Sequence, residues 1–490
     1  MCTTLVGKRL IRQVHATCFP AEDIDLTNKN TTIDIRTFFT MAPQPRPFEV
    51  YVRWRPLSAS ESSAPQIQRN IIAHEANNSI KISTPSKTDQ LRTWKSGPSF
   101  TDVFSESANN RAVYQSVVAP TLPKVLQGAT CNFFAYGHSG SGKTHTVIGY
   151  EYELEQHLGL CFSAASDLFR SLAEINSSAE GTEELGVAVR LYEVRGKYAY
   201  DLFGDGAECH IREGADGRTH VRGATEMLEG GKVRVRPITA VPCWSFEQLR
   251  STVLAGLEKR KTGSSSVHEE SSRTHAVLEL EVVDKALLEV RSAVAERESE
   301  LVPVGKRATD VYLEEQKASL VQKPDGGWAQ NPDRPLNQAR IDAAESEKKE
   351  YETRVEAAEK EVADYFANSR YPCLGGKFIF VDLAGSEYLK QGSSTVAAQP
   401  KQTPQEQRQS QQINTDLFAL KEVIRAKALN QRRIPFRSSP LTMVLRSHFE
   451  ATNGGQSAMI VTVSPSETQF AATMNTLKYG NLVGEAGGNV

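Results

Sequence analysis

The stretch GHSGSGKT, Gly137 to Thr144, constrains the fold of this chain more tightly than any other part of its sequence. It fits the spacing G-x-x-x-x-G-K-[ST]. The residues in front of it, ATCNFFAY (Ala129–Tyr136), have the unbroken apolar and aromatic content of a buried strand. Glycines at 137, 140 and 142, with His138, Ser139 and Ser141 between them, let successive backbone N–H groups curl around an anion (Gly137, Gly140, Gly142). A helix is expected behind the loop, its N-terminus adding favourable dipole charge. Lys143 then reaches the β- and γ-phosphates of a nucleotide, and Thr144 offers a hydroxyl to Mg²⁺. The implied ligands are ATP or ADP with Mg²⁺.

Two further elements carry the same chemistry. FIFVDLAGSE (Phe378–Glu387) reads as an apolar strand ending in an acid, and Asp382 at that end is placed to hold the Mg²⁺ shell through water. Ala384, Gly385 and Ser386 can bring a backbone N–H close to a γ-phosphate. Ser271-Ser272-Arg273-Thr274-His275 offers two hydroxyls and a guanidinium just ahead of a strand, although alone such a stretch is an ordinary polar loop.

Strand patterns at 48–56, 187–194, 233–235, 275–283 and 378–381 interleave with helical periodicity at 153–172, 245–259, 414–429 and 441–448. That alternation predicts a layered α/β fold with a central mixed sheet flanked by helices, over residues 48–485. An irregular N-terminal extension (1–47) and a short tail (486–490) flank it. Residues 284–375 differ in character: charged, rich in Ala, Glu and Lys, and broken in the middle by Pro324, Gly326, Gly327, Pro332 and Pro335. In its second half Ile341, Ala344, Lys348, Tyr351, Val355, Ala358, Val362 and Tyr365 alternate at threes and fours, and Leu287, Val294 and Leu301 recur at sevens in the first. The expectation is an antiparallel helical hairpin inserted between two core strands. Its stripe serves to zip the two helices, with a partner-docking surface as the other reading.

A formal charge of −2 supplies no global attraction to a polyanion, so nucleic acid is not the expected partner. The seven cysteines include no CxxC pair, which supports neither a disulfide framework nor a zinc site. No apolar run reaches the ~18 residues of a membrane span, and the expectation is a cytoplasmic protein.

In this order, the three elements resemble a kinesin motor domain of the P-loop NTPase class. The resemblance extends through FEVYVRWRP, SFTDVF (99–104), YEVRGKYAYDL (192–202), NTDLFALKEVIRA (414–426), IPFRSSPLTMVLRSHF (434–449), MIVTVSP (459–465) and MNTLKYGNLV (474–483). It implies a cytoskeletal, microtubule-stimulated ATPase that turns MgATP hydrolysis into motility or filament-end remodelling. Carried over by position, Arg53, Arg55 and Pro56 line the adenine side with His145 against the base. Ser271 and Ser272 form the first switch, Ser272 also holding Mg²⁺. Arg273 pairs with Glu387 of the second switch when the site closes, and Gly385 senses the γ-phosphate.

ALKEVIRA, the glycine and lysine before Asp201-Leu202, and the spacing from Arg260 to the first switch are similar to the kinesin-13 group. That group's Lys-Val-Asp tip has no match between Leu57 and Pro98, where Lys87-Thr88-Asp89 comes nearest. His268 stands where the family has Asn, and Gln409 and Ser410 where it has Glu-Gly. These departures motivate a second reading, a nucleotide-holding microtubule tether with little turnover. A filament face should be basic, because tubulin is acidic. The candidates are Lys421, Arg425 and Lys427 on the helix at 414–429, Arg432, Arg433 and Arg437 after it, Arg446, and the alternating Lys232, Arg234 and Arg236.

Overall fold

A computed structural model describes residues 48–84, 92–178, 184–204, 206–214, 217, 219–229, 232–262, 273–324, 326–386, 404–450 and 454–488. Six strands form the centre: β1 (Glu49–Trp54), β2 (Thr130–Tyr136), β3 (Gly186–Arg195), β4 (His275–Val283), β5 (Lys377–Asp382) and β6 (Ser457–Val463). Their order across the sheet is β3-β4-β5-β2-β6-β1, and shorter strands extend it beyond β3 and β1. β5, β2, β6 and β1 run parallel, whereas β4 is antiparallel to both β3 and β5. The expected central mixed sheet is therefore present.

This topology brings the three sequence elements to one edge. The parallel strands β2 and β5 end side by side, with Asp382 opposite Ala135, two residues before the glycine loop. Because β4 runs the other way, its first residues lie at that same edge, and Ala276 pairs with Asp382. The site thus forms beyond the carboxyl ends of parallel strands, where open α/β sheets bind ligands.

Both sheet faces are covered. β2 is buried along its whole length and alternates between two cores. Cys131 and Phe133 face one, with Leu160, Leu168 and Leu172 of α2 (Leu160–Ser178) and Leu249 and Val253 of α3 (Phe246–Thr262). Phe134 and Tyr136 face the other. That side is built from α6 (Pro404–Ala428), α7 (Pro440–Glu450) and α8 (Phe470–Gly488) through residues such as Leu420, Leu445 and Leu477. Burying strand residues on two faces demands a near-continuous apolar run, and β2 supplies one.

The insertion folds as a hairpin of two long helices, α4 (Lys285–Ala318) and α5 (Gln338–Asn368), joined through a small ribbon of Leu320–Gln322 and Trp328–Gln330. Every member of the expected stripe on α5 is at least half-buried, from Ile341 to Tyr365. On α4 the buried set is broader than the sevens, adding Val304 and Ala308 to Leu287. The stripe therefore zips the helices. Asp284 caps α4 by accepting from Leu287 N–H (2.7 Å) and receives the Tyr365 hydroxyl (2.8 Å), tying the start of one arm to the end of the other.

Three helix expectations need correction. The segment Glu153–Leu172 is α-helical only from Leu160; before it, Glu155–His157 form one 3-10 turn, and Gly149 and Leu158 form an isolated bridge. α6 begins at Pro404, well ahead of residue 414, so Gln409 and Ser410 stand inside a helix. Proline tolerates the first helical position, which makes Pro404 a natural start. A helix does follow the glycine loop, α1 (Lys143–Val147), but it is only five residues long, so its dipole adds less than expected.

Candidate functional site

The loop between β2 and α1 has Gly140 at φ +75° and Gly142 at φ +99°, left-handed conformations that a side chain would strain. A Cβ at Gly140 would meet nothing within 4 Å, so the loop is open toward solvent there. At Gly137 the opposite holds: a Cβ would collide with Ser141 and Thr462, which themselves bond Oγ to Oγ1 at 2.7 Å. His138 is buried, shares its Nδ1 with the Ser139 carbonyl (2.8 Å), and is pushed down to a pKa of about 4 by that burial. It is neutral at physiological pH.

Lys143 is buried and folded back, donating to the carbonyls of Gly137 and His138 at 3.1 Å each. Thr144 Oγ1 donates to Asp382 Oδ2 at 2.6 Å. Asp382 is itself buried, and its other oxygen, Oδ1, has no hydrogen-bond partner. A buried carboxylate oxygen left unmatched is costly unless a ligand meets it. The donor set is a hydroxyl and a carboxylate at hydrogen-bond distance beside a phosphate-binding loop, the hard-oxygen chemistry that suits Mg²⁺. Thr144 and Asp382 therefore fit the metal expected for them.

Gly385 packs directly on the loop: a Cβ there would lie 2.9 Å from Ser139 N. Ser386 N–H donates to Gly137 O at 3.2 Å. The strand-end segment and the glycine loop are thus in backbone contact, which only a glycine at 385 permits. Ser271, Ser272, Glu387 and His268 lie outside the described residues, as does Lys87-Thr88-Asp89. Arg273 is half-buried at the head of β4.

A cleft of about 500 Å³, in the size range of small-molecule sites, opens on the other side of the loop. Arg55, Pro56, Ser141, Gly142 and His145 line it. His145 stacks on Tyr150 (ring centroids 4.6 Å apart), and Tyr150 stacks on His157 (4.3 Å), so the expected base platform is three rings deep. Arg53 also borders the cleft, but its guanidinium is committed to Asn110 Oδ1 (2.7 Å) and Thr146 Oγ1 (2.8 Å). Burial lowers its pKa to about 10. Arg53 therefore braces the platform from beneath. Arg55 is held in a two-pronged pair with Glu61 (2.7 and 2.8 Å), whose carboxyl is held well below the usual range by that guanidinium.

Several contributors carried no sequence signal of their own. Asn110 and Tyr150 act through contacts that only the fold creates. Arg260 on α3, which the sequence marked only by its spacing to the first switch, is buried in an ion pair with Glu193 and reaches to 3.8 Å from Asp382 Oδ2.

The basic residues expected to face a filament divide into two groups. Arg425, Arg432 and Arg433 are exposed, with no ion-pair partner among the described residues. The others are engaged within the molecule. Arg437 and Arg446 both meet Glu213 (2.5 and 3.4 Å), and Arg234 and Arg236 both meet Glu226. Lys232 is held by Glu296 (3.2 Å) and Glu300 (3.0 Å) of α4. Lys421 lies over the exposed ring of Phe418, and Lys427, half-buried against Phe449, has its pKa lowered by burial.

This is a nucleotide-triphosphatase fold with a glycine loop, a hydroxyl–carboxylate pair and a cleft of stacked rings at one sheet edge. Comparison with known proteins narrows it. The family model of the kinesin motor domain matches residues 53–303 and 350–485, and the chain belongs to that family. The gap between the two matched stretches, 304–349, is the outer part of the inserted hairpin. Among curated relatives, the kinesin-like protein KIF24 of Mus musculus is 25% identical over 438 residues, covering 89% of this chain and 24% of that protein. The kinesin-like protein KIN-13A of Oryza sativa subsp. japonica is 27% identical over 437 residues, covering 89% of this chain and 40% of that protein. The chain is thus a divergent kinesin motor nearest in pattern to the kinesin-13 group, and it spans well under half the length of these relatives. Solved structures agree on the fold. Mutant structures of a kinesin motor ATPase align at a TM-score of 0.53 with 19% identity, over 89% of this chain and 99% of that one. The Kar3-like kinesin motor domain from Ashbya gossypii gives the same figures. No helix among the described residues is long and apolar enough to cross a membrane.

Proposed function

We propose that this chain is a microtubule-stimulated ATPase that couples MgATP hydrolysis to motion along, or remodelling of, microtubules. The observation that carries the reading is the Thr144–Asp382 pair at 2.6 Å with Asp382 Oδ1 buried and unmatched, set against an open glycine loop. Phosphoryl transfer to water needs positioning and charge stabilisation more than covalent help. In this reading Lys143 exchanges two carbonyl acceptors for the β- and γ-phosphate oxygens, a stronger, charge-assisted interaction. The Gly137–Gly142 amides hold the phosphates, and His145, backed by Tyr150, carries the base. Thr144 and Ser272, with Asp382 through water, would hold Mg²⁺, which would supply positive charge against the phosphates. Ser271 and Ser272 close over the γ-phosphate, Arg273 latches to Glu387, and Gly385 reports the γ-phosphate to α6. The filament contact is assigned to the end of α6 and the loop after it, where Arg425, Arg432 and Arg433 stand exposed.

The test is steady-state phosphate release from MgATP with and without polymerised microtubules. Strong stimulation is expected. Binding to filaments with turnover near zero in both conditions would overturn the ATPase reading in favour of the nucleotide-holding tether, with His268 and the residues Gln409 and Ser410 as the first positions to revert.

A further inference from the structure

Behind the phosphate site, three buried groups from three parts of the chain stand in a row. Ala384 N–H, two residues beyond Asp382, donates to His275 Nδ1 at 3.0 Å. A neutral imidazole whose Nδ1 accepts must carry its hydrogen on Nε2. That Nε2–H is buried, has no hydrogen-bond partner, and lies 3.8 Å from Asp416 Oδ2 on α6. Both side chains are 2% exposed. Asp416 is held from its other side by Gln412 Nε2, which donates to Oδ1 at 3.0 Å, and the Ser439 side chain also bonds the carboxyl. The His275–Asp416 gap is about an ångström longer than a hydrogen bond and too short to admit a water between. A buried donor left without a partner, facing a carboxylate oxygen just beyond bonding reach, is an unstable arrangement. A slight shift of α6 closes the contact or breaks it. Space for that shift exists: a cavity of about 270 Å³ lies alongside, lined by Arg195, Arg273, Gln409 and the pair itself.

We propose that Asp416 is a positioning residue that couples the nucleotide site to α6, making or breaking a hydrogen bond to His275 as the Ala384–Gly385 backbone moves. Gly385 touches Ser139 of the phosphate loop, so a backbone displacement there passes through Ala384 N–H to the imidazole and on to the helix. The inference rests on the proposed nucleotide cycle but not on filament stimulation.

Hydrogen exchange of residues 404–428 in MgADP and in a non-hydrolysable MgATP analogue tests it, in the wild-type chain and in Asp416→Asn. The asparagine keeps the shape and the acceptor for Gln412, but it turns an N–H₂ toward the Nε2–H of His275. Wild-type exchange near Asp416 should differ about threefold between the two nucleotides, and the variant's by less than about 1.5-fold. With microtubules, D416N should lower maximal turnover about fivefold with little change in half-saturating filament concentration, a split that a loss of filament contact would not give. A full nucleotide-dependent difference in D416N overturns the relay, as does its absence in the wild type. A wild-type difference without phosphate release overturns the ATPase reading and leaves the relay standing. Unfolding of D416N is checked by its melting temperature.

Discussion

The nucleotide cleft and the basic face treat charge in opposite ways. In the cleft, Asp382 keeps Oδ1 free of hydrogen-bond partners, and Lys143 donates to two neutral carbonyls of its own loop. On the basic face, Arg437 and Arg446 share Glu213, Arg234 and Arg236 share Glu226, and Lys232 is claimed by Glu296 and Glu300. The first region is built to receive charge. The second is largely neutralised by its own carboxylates, and an acidic partner must compete with them. Exposed ion pairs are individually weak, so that competition shifts affinity by small factors, whereas a buried site decides binding outright.

The comparison makes its largest prediction at Lys143. Lys143→Ala should weaken MgADP binding by about 100-fold in a fluorescent-nucleotide titration, as expected for losing charge-assisted bonds in a buried site. A change under threefold would mean that the cleft does not treat charge as described. A middle-sized effect is expected at Asp416, where burial raises the carboxyl from 3.8 to about 7. The unfolded chain ionises from about pH 4 upward while the folded chain keeps its proton to about pH 7, so rising pH across that window favours unfolding; above it the cost is constant. The melting temperature of D416N should therefore exceed that of the wild type by an amount that grows to about 4 °C between pH 4.5 and 7.5. A gap independent of pH would show that Asp416 is ionised when folded. The smallest effect belongs to the basic face. Glu213→Gln and Glu226→Gln each release two arginines and should raise microtubule affinity about two- to threefold in co-sedimentation at low salt, the gain vanishing at high salt. Unchanged affinity in both would show that the ion-paired arginines take no part and that the contact is confined to Arg425, Arg432 and Arg433.

What the sequence disclosed follows the same division. The glycine loop, the strand-end aspartate and the mixed sheet were legible because each depends on local spacing or strand composition, and the insertion because its stripe repeats at threes and fours. Thr144 and Asp382 stand at hydrogen-bond distance, while Lys143 folds back onto the carbonyls of its own loop. The role of Arg53 was not legible: its motif placed it beside the base, but Asn110 and Thr146, distant in sequence, claim its guanidinium. The start of α2 was misplaced because apolar periodicity runs on through residues that the Gly149–Leu158 bridge holds in a turn. Ion pairing on the basic face escaped for a related reason. Alternation along Lys232, Arg234 and Arg236 shows which way the side chains point, while Glu226 and α4 are brought against them only by the fold.

The inserted arm leaves and rejoins the sheet at adjacent rungs. Val282 N–H donates to Gly376 O and Gly375 N–H to Val282 O, at 2.9 and 2.8 Å. An antiparallel pair such as β4 and β5 can be joined by a turn of about two residues, and here the turn has been drawn out into residues 284–375. Hydrogen bonding between the two strands is indifferent to what fills the interval. The arm is in this sense a graft on a tolerant joint: its length and outer surface are free of the constraint that holds β4 to β5 and aligns the edge carrying Asp382.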